Sequence, residues 1–244
     1  MTSGCITLDM SRSAKPAKIT GSPVKHEVQF YGAYPSINSD QYAREPENSE
    51  SRLDEYTTEY VNFINKLNKK DLTILDFGGG LGGHYLTLKE NCPEKNLSYF
   101  IVDLPESFTE IDSVKYYESV EKAYLNIDKP IDVIYSNGTV HLTKKLSVVD
   151  NILNFCKTRA DYIFLQRMVL CKGCAYDHFY TFVPDHQNYY SIIEYNTLTR
   201  VAKEQGYSLV TEYPTNVEFN VHHAWLPHIG NVCYSNFLFK RDNL

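Results

Sequence analysis

The stretch Leu72-Thr-Ile-Leu-Asp76-Phe-Gly78-Gly79-Gly80-Leu-Gly82-Gly83-His84-Tyr85 decides the fold of this chain. A short apolar run ends at the acidic Asp76, five glycines then fall within six positions, and an amphipathic segment begins. That order predicts a buried strand, a tight turn and the start of a helix. Glycine is needed in such a turn because residues with a β-carbon take positive φ only at a cost, and because a side chain would hold a bound nucleotide away from the backbone. The helix N-terminus behind the turn adds free N–H groups and a partial positive charge. The sequence therefore places a nucleotide or nucleoside site at the carboxyl end of a first strand.

Two ligand classes fit the turn. Gly78, Gly80 and Gly83 satisfy the G-x-G-x-x-G pattern of dinucleotide-binding folds. Asp76 discriminates, because a negative charge beside the turn repels a pyrophosphate but suits a ligand carrying positive charge. In the pattern acidic-x-Gly-x-Gly-x-Gly, matched by Asp76, Gly78, Gly80 and Gly82, the chain resembles the class I methyltransferases. The resemblance implies the cofactor S-adenosylmethionine, which has a sulfonium and an ammonium and no phosphate. It also implies that Gly78, Gly79, Gly80 and Gly82 pass beneath the cofactor, with Asp76 orienting the turn or the ammonium.

A second apolar strand, Leu97 to Val102, ends in Asp103-Leu104-Pro105, 27 residues past Asp76. A carboxylate at that tip can accept both hydroxyls of an adenosine ribose, so Asp103 and Leu104 join the cofactor-binding set. The same placement would suit NAD and adds nucleoside specificity alone.

The chain of 244 residues can bury one full core, and the expected organisation is an N-terminal arm over residues 1–50 and one domain over residues 51–244. Residues 1–25 are polar, whereas Val28 to Pro35 carries apolar or aromatic residues at near-alternating positions and suits either a lid over the cleft or a strand or turn packed under the sheet. No apolar run approaches twenty residues, and Met1 to Met10 lacks the basic start and apolar core of a secretory leader, so the expected location is the cytoplasm. A net charge of -6 argues against nucleic acid as partner or acceptor. The six cysteines are scattered as reduced thiols would be. Cys171 and Cys174 form a C-x-x-C with no second pair at zinc spacing, and no metal is expected.

Strand and helix patterns alternate along the chain. Residues 51–69 predict an amphipathic helix carrying Leu53, Tyr56, Tyr60, Phe63, Ile64 and Leu67. Strands follow at 72–77, 97–102, 114–117, 131–135 and 161–168, with helices at 82–91, 144–157 and 190–205, before two β-rich runs at 207–213 and 231–240. Such alternation implies a Rossmann-like α/β fold: a mainly parallel sheet covered by helices on both faces. The family resemblance adds seven strands with the last one reversed.

Methyl transfer is an in-line displacement at an already activated carbon, so alignment of the acceptor matters most. A base helps when the acceptor is a hydroxyl or a protonated amine. By the resemblance, Ser136 and Asn137 at the fourth strand's tip border the methionine part of the cofactor and the acceptor. His141 lies one step further out, and its ordinary titration near neutrality suits either a base or a helix cap. Glu118 and Ser119, after the third strand, stand where the family places a polar group against adenine. Arg167 at the fifth strand's tip suits an anionic acceptor or a surface ion pair. His178 completes the candidate catalytic set, with His186, His222 and His223 nearby in sequence.

A looser likeness runs through Phe30 to Tyr34, the Asp76 to Gly80 turn, and Gly206-Tyr207 leading to Phe237-Leu238-Phe239. In these the chain is similar to methyltransferases encoded with bacterial surface-polysaccharide biosynthesis. This implies O-methylation of a sugar or sugar-phosphate, a small-molecule or carbohydrate partner. A catalytically silent nucleoside-binding module and a nicotinamide-dependent oxidoreductase are the alternatives.

Overall fold

The computed structural model describes residues 53–142, 147–173, 178–183, 188–214 and 231–244. The arm at 1–50 with its lid segment, and His186, His222 and His223, lie outside the described residues.

Helix α1 spans Glu55–Lys66. Asp54 starts it: its carboxylate accepts the Thr57 N–H at 2.8 Å, and Thr57 Oγ1 accepts the Asp54 N–H at 2.8 Å. These reciprocal bonds satisfy two amides that a helix start leaves open. Leu53, expected on the apolar face, precedes the helix and is exposed.

Strand β1 (Asp71–Phe77) is buried from Leu72 onward, as a central parallel strand covered on both faces must be. The order continues with α2 (Gly83–Asn91), β2 (Asn96–Val102), β3 (Val114–Tyr117), α3 (Val120–Asn126), β4 (Val133–Asn137), α4 (Val148–Lys157) and β5 (Tyr162–Lys172). The remaining elements are β6 (His178–Val183), β7 (Asn188–Glu194), α5 (Tyr195–Glu204), β8 (Tyr207–Pro214) and β9 (Asn231–Arg241).

Strands β3, β2, β1, β4 and β5 lie side by side in parallel. The reversed strand β9 runs antiparallel to β5 and carries β8 on its other side, giving the expected seven strands with the last reversed. Among the described residues the sheet nevertheless has nine strands, because the hairpin β6–β7 attaches to β5. β4 ends at Asn137 beside Gln166, which leaves the flank of β5 open further along, and β7 fills it at Leu170 and Cys171.

The hairpin corrects one expectation. Residues 190–194, predicted to open a helix, belong to β7; α5 begins at Tyr195, where the Glu194 carboxylate accepts the Thr197 N–H at 2.9 Å.

Two apolar layers sandwich the sheet. Tyr60, Ile64, Ile74, Tyr99, Tyr135 and Phe164 build one with α1 and α2. Leu75, Ile134, Phe155, Ile193, Leu198 and Phe237 build the other with α3, α4 and α5. Among the described residues no helix is long and apolar enough to cross a membrane.

Candidate cofactor and acceptor site

The parallel strands β1, β2, β4 and β5 all end on one side of the sheet, where open α/β sheets bind ligands. The glycine turn fills the space after β1. Gly78 has φ +79°, and a β-carbon on it would stand 2.1 Å from Thr139 Oγ1, so this position admits glycine alone. Gly82, at φ +86°, packs against Ile111. Gly80 differs: at φ +53° its β-carbon would meet nothing within 4 Å, so the turn presents bare backbone to open space. Gly78, Gly80 and Gly82 thus all take the left-handed conformation, and of these Gly80 faces open space.

Asp76 lies beneath the turn, fully buried. Its Oδ2 accepts the Tyr99 hydroxyl at 2.8 Å and stands 2.9 Å from His84 Nδ1. The carboxylate is thus held by a β2 side chain and the first turn of α2, with no surface of its own exposed. Its Oδ1 has no hydrogen-bond partner among the described residues.

Asp103 follows β2 at the rim. Oδ2 accepts the Gly80 N–H at 2.7 Å and Oδ1 accepts the Leu104 N–H at 2.7 Å. Burial pushes this carboxyl up from its ordinary value, while the Leu104 and Gly80 amides oppose the rise. Each carboxylate oxygen has a second lone pair, so Asp103 can still accept ribose hydroxyls. Leu104 and Phe108 are exposed beside it, and Phe108 lies 5.1 Å from the Tyr116 ring. They offer an apolar face next to the carboxylate.

The two candidate residues after β3 both engage the start of α3. Glu118 pairs with Lys122, and Ser119 caps α3 by accepting the Lys122 N–H at 3.1 Å.

At the tip of β4 the two expected contacts separate. Ser136 is buried, and its hydroxyl donates to the Phe77 carbonyl at 2.9 Å, tying β4 to β1. Asn137 Oδ1 is buried with no hydrogen-bond partner among the described residues, an acceptor ready for a cationic donor. His141 is 3% exposed. Burial, aided by the nearby Arg167 charge, pushes its pKa down to about 3. The property that recommended it as a base at neutral pH is therefore lost: a group so hard to protonate is a weak base.

Arg167 stands at a bulge in β5, between Leu165 and Met168, with φ 52°. Its N–H is held by Asn236 Oδ1 at 2.8 Å, and its exposed guanidinium lies 5.6 Å from the Tyr56 ring. A non-glycine residue kept in the left-handed region marks a place where surrounding structure imposes strain. The bulge sends Arg167 outward and Gln166 inward. His178 opens β6, so its backbone is placed at the hairpin while its side chain is outside the described residues.

Two features escaped the sequence. Gln166, fully buried, accepts the Tyr135 hydroxyl at 2.6 Å and donates to Tyr56 O at 3.0 Å and Glu59 Oε2 at 3.1 Å. Asn236 completes this network by donating to Glu59 at 3.0 Å. The second is His84, in the first turn of α2. Its ring meets Tyr135 edge-on at 5.0 Å and keeps 19% of its side-chain surface exposed. Burial works against its protonated form, but the charge and hydrogen bond of Asp76 outweigh it, and its pKa stands above the ordinary value. Among the described residues no group of three or more His, Cys, Asp or Glu is placed to hold a metal ion.

Solved structures share this architecture. The 1,6-didemethyltoxoflavin N1-methyltransferase of Burkholderia thailandensis, bound to 1,6-didemethyltoxoflavin and S-adenosylhomocysteine, superposes with a TM-score of 0.52. It is 12% identical, over 85% of this chain and 86% of that one. The fold is that of the class I methyltransferases. The N-terminal domain of EvdMO1, in the presence of S-adenosylhomocysteine and D-fucose, gives a TM-score of 0.53 at 11% identity, over 78% of this chain and 84% of that one. No protein-family model and no curated protein matches the sequence. The methyltransferase fold is thus carried by architecture and the turn, with little other sequence in common.

Proposed function

We propose that this chain binds S-adenosylmethionine over the Gly78 to Gly82 turn and directs its methyl group to a small acceptor. The observation that carries the reading is the open backbone of Gly80, held by the Asp103 carboxylate, with an unsatisfied acceptor, Asn137 Oδ1, at the tip of β4. The set fits the cofactor's chemistry. Asp103 would hold the ribose hydroxyls, Leu104 and Phe108 would cover the adenine, and Asn137 would accept from the ammonium. Bound there, the cofactor supplies an electrophilic methyl carbon. The protein's part is to orient the acceptor and exclude water, which can lower the barrier by roughly 7 to 11 kcal/mol for a well-held pair.

The acceptor we infer is a hydroxyl of a sugar or sugar-phosphate. Arg167 supports an anionic group, since its planar fork matches a phosphate or carboxylate. The sugar is supported by the D-fucose accompanying the similar EvdMO1 domain. The test is incubation with methyl-labelled S-adenosylmethionine and the small-molecule fraction of a cell extract. Label is expected in a polar product retained by anion exchange. Absence of any transferred label would contradict the reading.

A further inference from the structure

His84 is a histidine whose surroundings decide its chemistry. Nδ1 lies 2.9 Å from Asp76 Oδ2. That oxygen already accepts the Tyr99 hydroxyl at 2.8 Å and has no other ion pair among the described residues, so only a protonated Nδ1 is attractive to it. This fixes the tautomer: the hydrogen sits on Nδ1 and the lone pair on Nε2. Because Asp76 is fully buried and the ring is 19% exposed, the exposed edge is the one turned away from the carboxylate. Nε2 makes no hydrogen bond to any described residue. The edge contact with Tyr135, itself stacked at 3.6 Å on Tyr60, stops the ring from turning.

We propose that His84 is the general base of this site, oriented by Asp76, for an acceptor that must lose a proton as it is methylated. The proposal rests on the methyl-transfer reading above. In the step, the acceptor oxygen forms its bond to the methyl carbon as the carbon–sulfur bond breaks, and the sulfur keeps that electron pair as a thioether. The acceptor's proton passes to Nε2, and from there to water. One positive charge leaves sulfur and one appears on the imidazole, beside the Asp76 carboxylate that stabilises it. This arrangement assigns to a buried carboxylate and a histidine the division of labour of an orienting group and a base.

The groups facing the ring bear on its titration. Asp76 and the Tyr99 hydroxyl stand behind it from β1 and β2, Tyr135 borders it from β4, and Asp54 at the start of α1 adds negative charge. Arg167 from β5 opposes protonation. Burial drives Tyr60, Tyr99 and Tyr135 well above their ordinary values, so these phenols stay neutral. His84 is thus more readily protonated than a free imidazole, whereas burial holds His141 down at about 3.

Two readouts test the proposal. Two-bond nitrogen–proton correlation spectra of histidine-labelled protein, saturated with S-adenosylhomocysteine, should show His84 as the Nδ1–H tautomer, titrating above 6.5 and lower in Asp76→Asn. An Nε2–H tautomer in the wild type would overturn the assignment without any turnover measurement. In the labelled-methyl assay, His84→Gln should bind S-adenosylhomocysteine within threefold of wild type yet transfer methyl about 10² to 10⁴ times more slowly, with the deficit shrinking as pH rises. Equal transfer by wild type and His84→Gln would sink the base and leave methyl transfer intact. Loss of S-adenosylhomocysteine binding in His84→Gln would make it a cofactor-holding group and overturn the proposal. A wild type that transfers no label would overturn both.

Discussion

The backbone of Gly79 lies against the carboxylate of Asp76: a β-carbon on Gly79 would stand 2.6 Å from Asp76 Oδ2. Gly79→Ala must therefore displace a buried charge that Tyr99 and His84 hold. A loss of about 1 to 3 kcal/mol is expected, read as a drop of several degrees in melting temperature. Gly80→Ala is the contrasting case. Its β-carbon meets nothing, so the left-handed conformation alone should cost about 1 to 2 kcal/mol, while S-adenosylhomocysteine affinity should fall more than tenfold.

Gln166 joins Tyr135 to Glu59 inside the protein. Gln166→Leu would leave the buried Tyr135 hydroxyl with no acceptor. The expected cost is about 1 to 3 kcal/mol by denaturant titration, and removing Tyr135's hydroxyl as well, with Tyr135→Phe, should recover part of it.

Arg167 should separate stability from function. Replacing it by glycine relieves the left-handed strain at φ 52° but removes the guanidinium. Arg167→Gly is expected to melt within about 1 kcal/mol of wild type, on either side. Its KM for an anionic acceptor should rise at least tenfold.

His84, partly exposed, and the buried His141 should leave opposite marks on the pH dependence of stability. His84 has a folded pKa above 6.5, so its contribution is full below pH 6.5 and fades as pH rises through the raised value. His141 has a folded pKa of about 3, so its contribution is full above 6.5 and is lost as pH falls toward 3. The span corresponds to a loss on the order of 4 to 5 kcal/mol in the acid range. Thermal unfolding at several pH values checks both. His84→Gln should be most destabilising, relative to wild type, on the acid side of neutrality, and the stability gap between wild type and His141→Asn should narrow as pH falls from 7 to 4.

What was legible in the sequence follows chain locality. The turn at Asp76 to Gly82 and the carboxylate at Asp103 were readable because glycine geometry and a strand's last residue are set by immediate neighbours. His84 was hidden in the same stretch, since only the folded turn brings it back onto Asp76. The network of Glu59, Gln166 and Asn236 joins residues 107 and 177 positions apart, a distance at which spacing carries no signal. Likewise His141 reads as an ordinary titrating group until burial is known. The hairpin β6–β7 was missed because aromatic and β-branched residues at 189–193 suit a buried strand or a helix face equally, and Glu194 gives a weak start signal for α5.

The most direct measurement is calorimetric titration of wild type and Asp103→Ala with S-adenosylhomocysteine and with NADH. The account expects the wild type to bind S-adenosylhomocysteine and not NADH, and Asp103→Ala to lose affinity on the order of 2 to 4 kcal/mol. Binding of NADH in preference, or equal S-adenosylhomocysteine affinity in both proteins, would contradict it.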